Sequence, residues 1–402
     1  MSLFSFRDTW AEVSLDAIYH NAKLFKTKLK SKTRLMAVVK ADGYGHGSVE
    51  VARTAVEAGA DYLGVAFLDE ALVLRRSIPQ TPILVLGYIP PSSVATAIEH
   101  KITLTVYSEE VLEEISTCAT RLGITAKVHI KCDTGMGRVG VTTKEAALSL
   151  AKKASKASGV LVEGIFTHFA NADSDDPSYT FMQFKRFTSM LNYLEANDIS
   201  IQIKHCCNSA GTINFPDMHL DMVRVGISLY GLTPSKEMNL FAFPLKQAMH
   251  LKTRIIQLKQ VSTGEAISYG CTYKAENVTT IATIPIGYAD GLSRLLSNKG
   301  SALVHDNRVP IAGRVCMDQC MLNVSTVSSP AVGDEVILFG GTDEGFISID
   351  EVAEQMGTIN YEVVCLVGKR VPRVYLKYNQ CIKYNNQLLP SSNHQLPLAF
   401  GV

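Results

Sequence analysis

Lys40 is the residue of this sequence that is best placed to do chemistry. It follows Val38-Val39 at the end of a predicted strand, and the next turn, Gly43–Gly47, contains three glycines and Tyr44. A lysine buried at the end of an apolar strand loses proton affinity by desolvation, so its amine becomes a nucleophile or a base near neutral pH. The glycines let a ligand approach the backbone closely. These features predict a lysine that forms a Schiff base with pyridoxal phosphate, with a phosphate grip nearby. The alternative is an exposed lysine followed by an ordinary turn.

Polar side chains also stand at the ends of four later predicted strands. They are Lys131 with Arg138, His168, Ser209 and Arg224. Such groups are costly to bury without partners, so five successive strand ends of this kind, counting Lys40, indicate a binding site.

Each of these residues also has a purely structural interpretation. His168 fits a core histidine whose hydrogen bonds are satisfied, and Arg138 and Arg224 fit arginines of structural ion pairs. Ser209 fits the N-cap of a helix that starts near Ala210. That same helix start, and the Gly226-Ile227 peptide, are equally open to a phosphate group.

The elements that position these residues alternate between short β-rich runs and amphipathic helices. The predicted strands are Leu35–Val39, Tyr62–Ala66, Ile83–Leu86, Ile102–Val106, Lys127–Lys131, Val160–Phe166, Ile201–His205 and Met222–Val225. Helical patterns include Ser108–Leu122, Thr143–Ala157 and Tyr179–Asn197, with Ser108 and either Thr142 or Thr143 as N-caps. Eight strand–helix repeats predict an N-terminal (β/α)8 TIM-type barrel with its functional groups at the C-terminal strand ends. An open doubly wound sheet is the alternative.

After about residue 240 the pattern changes to strands separated by Gly- and Asp-containing turns, which predicts a mostly-β domain. The segments are Arg254–Val261, Thr279–Ile284, Ala302–Val304, Arg308–Ile311, Met321–Val324 and Glu335–Phe339, with a short helix at Asp350–Met356. The stretch Tyr378–Val402 is rich in Asn, Gln and Pro, and we expect it to be partly disordered. We therefore predict a barrel over residues 1–240, a mostly-β domain over 241–385 and a flexible tail over 386–402.

Composition excludes several classes of protein. The chain has 402 residues, of which 47% are apolar and 19% charged, and its formal net charge is +1. These values fit a globular protein of two domains and give no support to a nucleic-acid or membrane partner. We find no membrane-spanning run and no secretion signal, so we expect a cytoplasmic protein.

The nine cysteines are scattered through apolar segments, which suits reduced thiols better than a disulfide framework. Cys206-Cys207 and the pair Cys316 and Cys320 lack the second ligand pair of a structural zinc site, so we expect no metal.

Eight motifs, in order along the chain, resemble those of the alanine racemases, pyridoxal-phosphate enzymes built from a barrel and a β-domain. The motifs are Val39–Gly47, Lys131–Gly140, Asn208–Ala210, Arg224–Ile227, Ile267–Gly270, Gly287–Gly291, Gly313–Gln319 and Ile359–Glu362. The resemblance runs from about residue 8 to residue 376. It implies interconversion of L-alanine and D-alanine, which supplies D-alanine for bacterial peptidoglycan, by a homodimer with shared active sites.

The resemblance also implies roles for single residues. Lys40 resembles the Schiff-base lysine and first catalytic base, and Tyr269 resembles the second base, which the partner subunit supplies. Arg138 resembles the arginine that binds the substrate carboxylate, and His168 the histidine between the base tyrosine and the cofactor-side Arg224.

The other matching positions surround these residues. Tyr44, Ser209, Gly226, Ile227 and Tyr361 match the phosphate grip, and Met317 with Asp318 matches the partner-supplied segment that lines the substrate pocket. Lys131 matches a lysine that is carbamylated in some members, where the new anion braces the arginine equivalent to Arg138. Asp173, Arg294, Arg314 and Ile359 resemble the family's substrate corridor.

Racemisation has physical requirements that these residues meet. A single base returns a proton to the face from which it came, so two bases must flank the α-carbon. Lysine and tyrosine both have ordinary pKa values of about 10. Burial must lower the pKa of the lysine, and neighbouring cations must lower the pKa of the tyrosine. An arginine such as Arg224 donates a hydrogen bond to a pyridine nitrogen but does not readily give it a proton, which limits transamination and decarboxylation.

Two other classes share parts of this pattern. Decarboxylases of the ornithine and diaminopimelate type have the barrel and the lysine, and Cys316 leaves this alternative open. Arg224 and Tyr269 favour racemisation, and release of carbon dioxide would distinguish the two. A non-catalytic cofactor carrier would need neither the β-domain nor Tyr269.

Overall fold

The computed structural model describes residues 6–236, 238, 243–342 and 344–389. The chain divides into two compact units. One consists of Leu15–Ala248, and the other combines the residues up to Ser14 with those from Met249 onward. In the described ranges, no helix has both the length and the apolar character needed to cross a bilayer.

The unit Leu15–Ala248 is an α/β barrel, as the sequence predicts. The first strand of the described residues, β1 (Thr9–Ser14), belongs to the other unit. The barrel strands are β2 (Arg34–Val38), β3 (Tyr62–Val65), β4 (Ile83–Val85), β5 (Leu104–Val106), β6 (Ala126–Lys131), β7 (Val160–Phe166), β8 (Ile203–His205) and β9 (Met222–Val225). Its helices are α1 (Leu15–Lys28), α2 (Lys40–Tyr44), α3 (Ser48–Glu57), α4 (Leu68–Ser77), α5 (Val94–Glu99), α6 (Glu109–Leu122), α7 (Lys144–Lys156), α8 (Ser178–Glu195) and α9 (Ser209–Asn214).

The eight barrel strands are parallel and form two ladders, in the orders β4-β3-β2-β9 and β5-β6-β7-β8. Backbone hydrogen bonds join the ladders at both seams. The Val85 N–H donates to the Thr103 carbonyl at 3.1 Å, and the Arg224 N–H donates to the Cys207 carbonyl at 3.0 Å. The sheet is therefore closed, and the alternative of an open doubly wound sheet is wrong.

Local sequence explains where the barrel elements begin. Strands β3, β4 and β5 are buried along their whole length, as parallel strands covered on both faces must be. The predicted caps are confirmed: the Ser108 side chain accepts a hydrogen bond from the Val111 N–H, and Thr143 accepts one from the Ala146 N–H. The barrel thus delivers each strand end to one rim, where the polar residues stand.

The second unit is mostly β-structure. Its strands are β1, β10 (Met249–Arg254), β11 (Gln257–Val261), β12 (Ala266–Ile267), β13 (Tyr273–Lys274), β14 (Thr279–Ile284), β15 (Ser301–Val304), β16 (Asn307–Pro310), β17 (Cys320–Asn323), β18 (Glu335–Gly341), β19 (Phe346–Ile347), β20 (Arg373–Lys377) and β21 (Gln380–Asn385). The main sheet has the order β16-β15-β18-β10-β1-β20-β21, and two helices, α10 (Ile349–Met356) and α11 (Asn360–Leu366), complete the unit.

The prediction that the N-terminal segment belongs to the barrel is wrong for residues 6–14. Strand β1 pairs antiparallel with β10 and parallel with β20, so it lies inside the main sheet of the β-unit. Its buried residues include Trp10, Ala11 and Val13. A short strand gives no local sign of partners that lie more than 200 residues away in sequence.

The boundary after the barrel also differs from the predicted position between residues 240 and 241. Residues 243–248 remain with the barrel unit. Asn21 of α1 holds this segment, because its amide donates to the Lys246 carbonyl at 2.9 Å and its side-chain oxygen accepts from the Lys246 N–H at 2.9 Å.

The expectation of disorder from Tyr378 onward is wrong for residues 378–385. Strand β21 pairs antiparallel with β20, and the connecting residues Tyr378 and Asn379 have φ values of 53° and 58°. Two successive positive φ values are typical of the tight turn that joins a twisted β-hairpin. Of the predicted tail, residues 390–402 lie outside the described residues.

Candidate active site

Lys40 follows strand β2 directly, at the C-terminal rim of the barrel. The strand before it is fixed by neighbours: the Val39 N–H donates to the Gly64 carbonyl at 2.9 Å, and the Tyr230 hydroxyl donates to the Val38 carbonyl at 3.1 Å. Lys40 itself is half-buried. Its position matches the sequence prediction of a lysine presented at a strand end.

The segment after β2, α2, is a left-handed turn. Ala41, Asp42 and Tyr44 have φ values of 52°, 51° and 51°, although none is a glycine. Such conformations cost free energy, persist only where the surroundings enforce them, and cluster at functional sites. Asp42 enforces this one by accepting a hydrogen bond from the Ser48 N–H at 2.9 Å. Tyr44 is held beside Tyr230, with ring centroids 4.8 Å apart.

Tyr44, Ser209 and Gly226 meet on this rim although they are far apart in sequence. The Gly226 N–H donates to Ser209 Oγ at 2.9 Å. A Cβ atom at Gly226 would stand 2.6 Å from the Tyr44 hydroxyl oxygen, so only glycine leaves room for the phenol here. The next residue, Ile227, is buried. Four residues predicted for the phosphate grip are therefore grouped in one place.

The interpretation of Ser209 as a helix N-cap is wrong. Asn208 caps α9, because its side-chain oxygen accepts a hydrogen bond from the Gly211 N–H at 2.9 Å. Ser209 is the first residue of the helix, and its hydroxyl is directed at Gly226.

Arg224 is a buried cation, and its partners are neutral. Its Nη1 donates to His205 Nδ1 at 2.8 Å, and its Nη2 donates to the Thr167 and Cys206 carbonyls at 2.8 and 3.0 Å. Nη2 also lies 3.3 Å from His168 Nδ1. Burial lowers the pKa of Arg224 to about 10. Within the described residues it makes no ion pair with a carboxylate, so the ion-pair interpretation is wrong for Arg224.

His168 is at the centre of a cationic cluster. Burial lowers its pKa well below the ordinary value, and the charges of Arg224, Arg138, Lys131 and Lys40 lower it further. The imidazole is therefore neutral at pH 7. Because Arg224 can only donate, His168 Nδ1 accepts and its proton is on Nε2. The rim thus combines four cations with an uncharged imidazole.

The loop that carries Arg138 is shaped by one carboxylate. Asp133 accepts hydrogen bonds from the N–H groups of Gly135, Gly137 and Arg138 at 2.9, 3.1 and 2.9 Å. Burial acts to raise the pKa of Asp133, but these three bonds lower it overall. Arg138 is exposed and makes no ion pair with any described residue, so its guanidinium is available for an anionic ligand.

Lys131 lies under this loop, almost fully buried. Its ammonium donates to the Cys132 carbonyl at 2.8 Å. Burial, reinforced by the charge of Arg224, lowers the pKa of Lys131 to about 8. Near physiological pH this amine is therefore mostly protonated, with a minor neutral fraction.

Tyr269 belongs to the β-unit, where its side chain is 72% exposed. The loop around it is tightly fixed: Ser268 has φ of 68° and its hydroxyl donates to the Arg314 carbonyl at 2.7 Å. The Arg314 guanidinium lies beside Gly270, where a Cβ would be 3.2 Å from its central carbon. The phenol is thus presented on a rigid loop.

Met317 and Asp318 are also on the surface of the β-unit, and Met317 is 53% exposed. The Ala289 N–H donates to the Met317 carbonyl at 3.0 Å, and a side chain at Gly287 would collide with that carbonyl. Arg370 donates to Asp318 at 2.6 Å. Tyr361, the remaining predicted site residue, is half-buried in α11.

The structure therefore brings the predicted barrel residues together at one rim, and it places Tyr269, Met317, Asp318 and Tyr361 in the β-unit. Sequence analysis assigned no role to Asp133 or to His205. Asp133 lies in the motif Lys131–Gly140, and His205 ends the predicted strand Ile201–His205. The signal that was available for Asp133 is its position just before a turn with two glycines, where aspartate commonly accepts backbone N–H groups.

Comparison with known proteins shows the family of this chain. The chain matches the family models for the alanine racemase N-terminal domain over residues 13–234 and the C-terminal domain over residues 248–375. Alanine racemase 2 of Oceanobacillus iheyensis is 54% identical over 380 residues, covering 94% of this chain and 96% of that protein. The alanine racemase of Desulfovibrio desulfuricans is 50% identical over 371 residues, covering 92% and 99%. The chain belongs to the alanine racemase family.

Solved structures of this family share the fold. The alanine racemase of Bacillus anthracis, crystallised with bound L-Ala-P, has a TM-score of 0.91 and 42% identity, covering 96% of this chain and 99% of that one. The activity of this chain is the interconversion of L-alanine and D-alanine. Alanine racemases are pyridoxal-phosphate-dependent isomerases that provide D-alanine for the cell wall. The decarboxylase and cofactor-carrier alternatives are therefore set aside.

Proposed function

We propose that Lys40 and Tyr269 are the two bases of the racemase reaction and that the barrel rim holds pyridoxal phosphate. The cationic rim around neutral His168 supports this proposal most strongly. A neutral imidazole among Lys40, Lys131, Arg138 and Arg224 is suited to a site that receives two anions, a phosphate and a carboxylate.

The residues of the rim fit the chemistry of this cofactor. The space that Gly226 leaves beside the Tyr44 hydroxyl, with Ser209 next to it, suits a phosphate group. Tyr361 of the β-unit is assigned to the same phosphate from the family match. The amine of Lys40 would hold the cofactor covalently, and Arg224 would donate to its pyridine nitrogen. When bound, pyridoxal phosphate withdraws electrons and so acidifies the α-hydrogen of alanine.

The other residues position the substrate and the protons. Arg138 binds the carboxylate of alanine, and Asp133 fixes the loop from which it reaches. His168 accepts from Arg224 and keeps its own proton on Nε2, so it can donate to the phenol oxygen of a base tyrosine. Lys131, whose amine is partly neutral, is suited to carbamylation, which would place an anion near Arg138.

We assign Tyr269 and Met317 to the active site of a partner subunit, in a homodimer with shared sites. Both side chains are more than half exposed on the β-unit, and Leu295 and Ile359 of the same unit are 60% and 59% exposed. Exposed apolar side chains of this kind favour an interface. A cytoplasmic location is part of the same proposal, supported by nine cysteines that form no disulfide with one another in the described residues.

The cofactor assignment is tested by absorbance and mass spectrometry. The purified protein should be yellow, borohydride should bleach it, and peptide mapping should find the label on Lys40. The Lys40→Ala variant should bind the cofactor without a covalent link. A label on any other lysine would contradict the assignment.

The two-base assignment is tested by exchange of the α-hydrogen in deuterated water. Because each base serves one face of the α-carbon, Tyr269→Phe should slow exchange of one alanine enantiomer much more than that of the other. Equal loss for both enantiomers, or no loss, would contradict the role of Tyr269.

A further inference from the structure

A line of buried side chains runs through the barrel interior from Arg224 to Glu163. Arg224 Nη1 is 2.8 Å from His205 Nδ1, His205 Nε2 is 2.9 Å from His129 Nδ1, and His129 Nε2 is 3.3 Å from a Glu163 oxygen. His129 and His205 are fully buried, and Arg224 is almost so. Neither Glu163 nor His129 has a role in the site described above.

The direction of every hydrogen bond in this line is determined by its two ends. A guanidinium only donates, so His205 Nδ1 accepts and its proton must be on Nε2. That proton is donated to His129 Nδ1, which leaves the His129 proton on Nε2, directed at Glu163. Burial, together with the charge of Arg224, keeps the pKa values of both histidines below the ordinary value. Both imidazoles are therefore neutral and have one fixed tautomer.

Glu163 is an anion where it ends this line. Burial acts to raise its pKa, but hydrogen bonds from His129, Lys127 and Tyr62 lower it to about 2. The Lys127 ammonium is 2.6 Å away and the Tyr62 hydroxyl 2.5 Å away. The line therefore joins a fixed negative charge to a buried arginine through two oriented imidazoles.

The strand geometry is adapted to this arrangement. The ladder between β6 and β7 shifts register so that Val128 pairs with Val162 while His129 pairs with Gly164, which leaves Glu163 as an extra residue. Such bulges re-aim a side chain. A Cβ at Gly164 would be 2.5 Å from the His129 ring, so glycine is required at this position.

We propose that Glu163, acting through His129 and His205, positions Arg224 and stabilises its positive charge for the racemase reaction. Because His205 can only accept from Arg224, one edge of the guanidinium is fixed and its remaining N–H groups keep one orientation. The three residues are positioning residues, since none of them is assigned a contact with substrate or cofactor. The inference rests on the proposed role of Arg224 at the pyridine nitrogen.

Two substitutions separate the charge of Glu163 from its packing. Glu163→Gln keeps an acceptor for His129 but removes the charge, and we expect kcat to fall about tenfold, as second-layer partners typically give. The KM for alanine should not change, because Arg138 is untouched. The matched control is Tyr62→Phe, which removes another hydrogen bond to the same carboxylate but leaves its charge. It should lower the thermal midpoint and leave kcat as in the wild type.

Histidine NMR tests the geometry without relying on activity. In the full-length protein labelled with 15N-histidine, His129 and His205 should both show the Nε2–H tautomer and be neutral at pH 7 and pH 8. The resonances are assigned with His129→Gln and His205→Gln, and the charge state is compared between pH 7 and pH 8. An Nδ1–H tautomer or a charged ring at either position would overturn the proposal.

The kinetic outcomes are equally decisive. If Glu163→Gln folds and has wild-type kcat, Glu163 is only structural and the proposal is wrong. If that variant does not fold, Gly164→Ala replaces it, because it displaces the His129 ring and leaves Glu163 in place; it too should lower kcat and not KM. Failure of the proposed function would instead appear as a borohydride label on a lysine other than Lys40, so the two failures are distinguishable.

Discussion

Lys131 is a single residue of the site whose buried charge lowers the free energy of unfolding. Its ammonium is buried beside Arg224 and Arg138, and both burial and these like charges lower its pKa from 10.5 to about 8. Such a group destabilises the folded protein wherever it is protonated, because the unfolded chain solvates the same charge freely.

We therefore expect Lys131→Met to stabilise the fold at pH 7, by at most about 3 kcal/mol, since one pKa unit corresponds to about 1.4 kcal/mol. Well below pH 8 the lysine is protonated in both states and the penalty is complete. Between about pH 8 and 10.5 the folded protein loses the proton first, so wild-type stability rises with pH and the advantage of the variant shrinks. Urea unfolding at several pH values measures this difference.

The exposed Lys152→Met variant controls for loss of a lysine in general. A stabilisation by Lys131→Met that does not vary with pH would show that residue 131 is not a buried ammonium in the folded protein.

Asp133 gives a second prediction at the scale of one residue. Asp133→Asn replaces one acceptor oxygen by an N–H group that faces backbone donors, so the loop before Arg138 loses its shape. We expect the KM for alanine to rise about tenfold with a smaller effect on kcat, because a displaced arginine weakens carboxylate binding. Steady-state kinetics measure both.

The control for Asp133 is Tyr179→Phe, which removes a hydrogen bond from the Tyr179 hydroxyl to the Gly135 carbonyl in the same loop. Its KM should stay within about twofold of the wild type, as for an exposed neutral hydrogen bond. An unchanged KM in Asp133→Asn would show that the loop does not depend on this carboxylate.

At the scale of elements, the barrel could be predicted because its strands are short apolar runs that alternate with helices, some of which begin at a side-chain N-cap. Ser108 and Thr143 mark helix starts that depend only on local sequence. Strand β1 could not be predicted, because its assignment depends on β10 and β20 rather than on its own residues. The segment predicted as Arg254–Val261 contains the end of β10 and all of β11, since the break at Ile255 and Ile256 has no polar turn residue.

The residue types indicate phosphate binding at the helix start by Ser209 and at the Gly226-Ile227 peptide, but the complete phosphate grip could be predicted only from family positions. Nothing in the sequence shows that Tyr44, Ser209 and Gly226 meet, because closure of the barrel brings the first and last strands together. The same closure aligns His129, His205 and Arg224, which no local motif connects.

Gly226→Ala tests the backbone turn that directly follows β9. The added methyl group would be 2.6 Å from the Tyr44 hydroxyl, so either the phenol or the peptide must move. We expect the affinity for pyridoxal phosphate to fall about tenfold or more, as one disrupted hydrogen-bonding contact implies. The cofactor is removed from the protein and then titrated back, and protein fluorescence gives the dissociation constant of pyridoxal phosphate.

Gly123→Ala is the matched control, since Gly123 ends α6 with φ of 64° and has open space around it. It should lower stability by about 1 kcal/mol through backbone strain alone and leave cofactor affinity unchanged. Equal affinities for Gly226→Ala and the wild type would remove Gly226 from the phosphate grip.

For the whole molecule, the central question is which chains form one active site. Lys40 belongs to the barrel unit and Tyr269 to the β-unit, and the proposed homodimer pairs Lys40 of one chain with Tyr269 of the other. Sequence alone gives no direct sign of this pairing. The residues around Tyr269 would be the same whether it acts with Lys40 of its own chain or with Lys40 of a second chain.

Mixing two inactive variants decides between these arrangements. In a heterodimer of Lys40→Ala and Tyr269→Phe chains, shared sites give one site with both substitutions and one with neither. Random reassortment makes half of the dimers mixed, each with one intact site of two, so about a quarter of wild-type activity should return. Sites within single chains would restore none, because each would keep one substitution. The measurement is racemase activity after the two variants are unfolded together and refolded with cofactor, compared with each variant refolded alone.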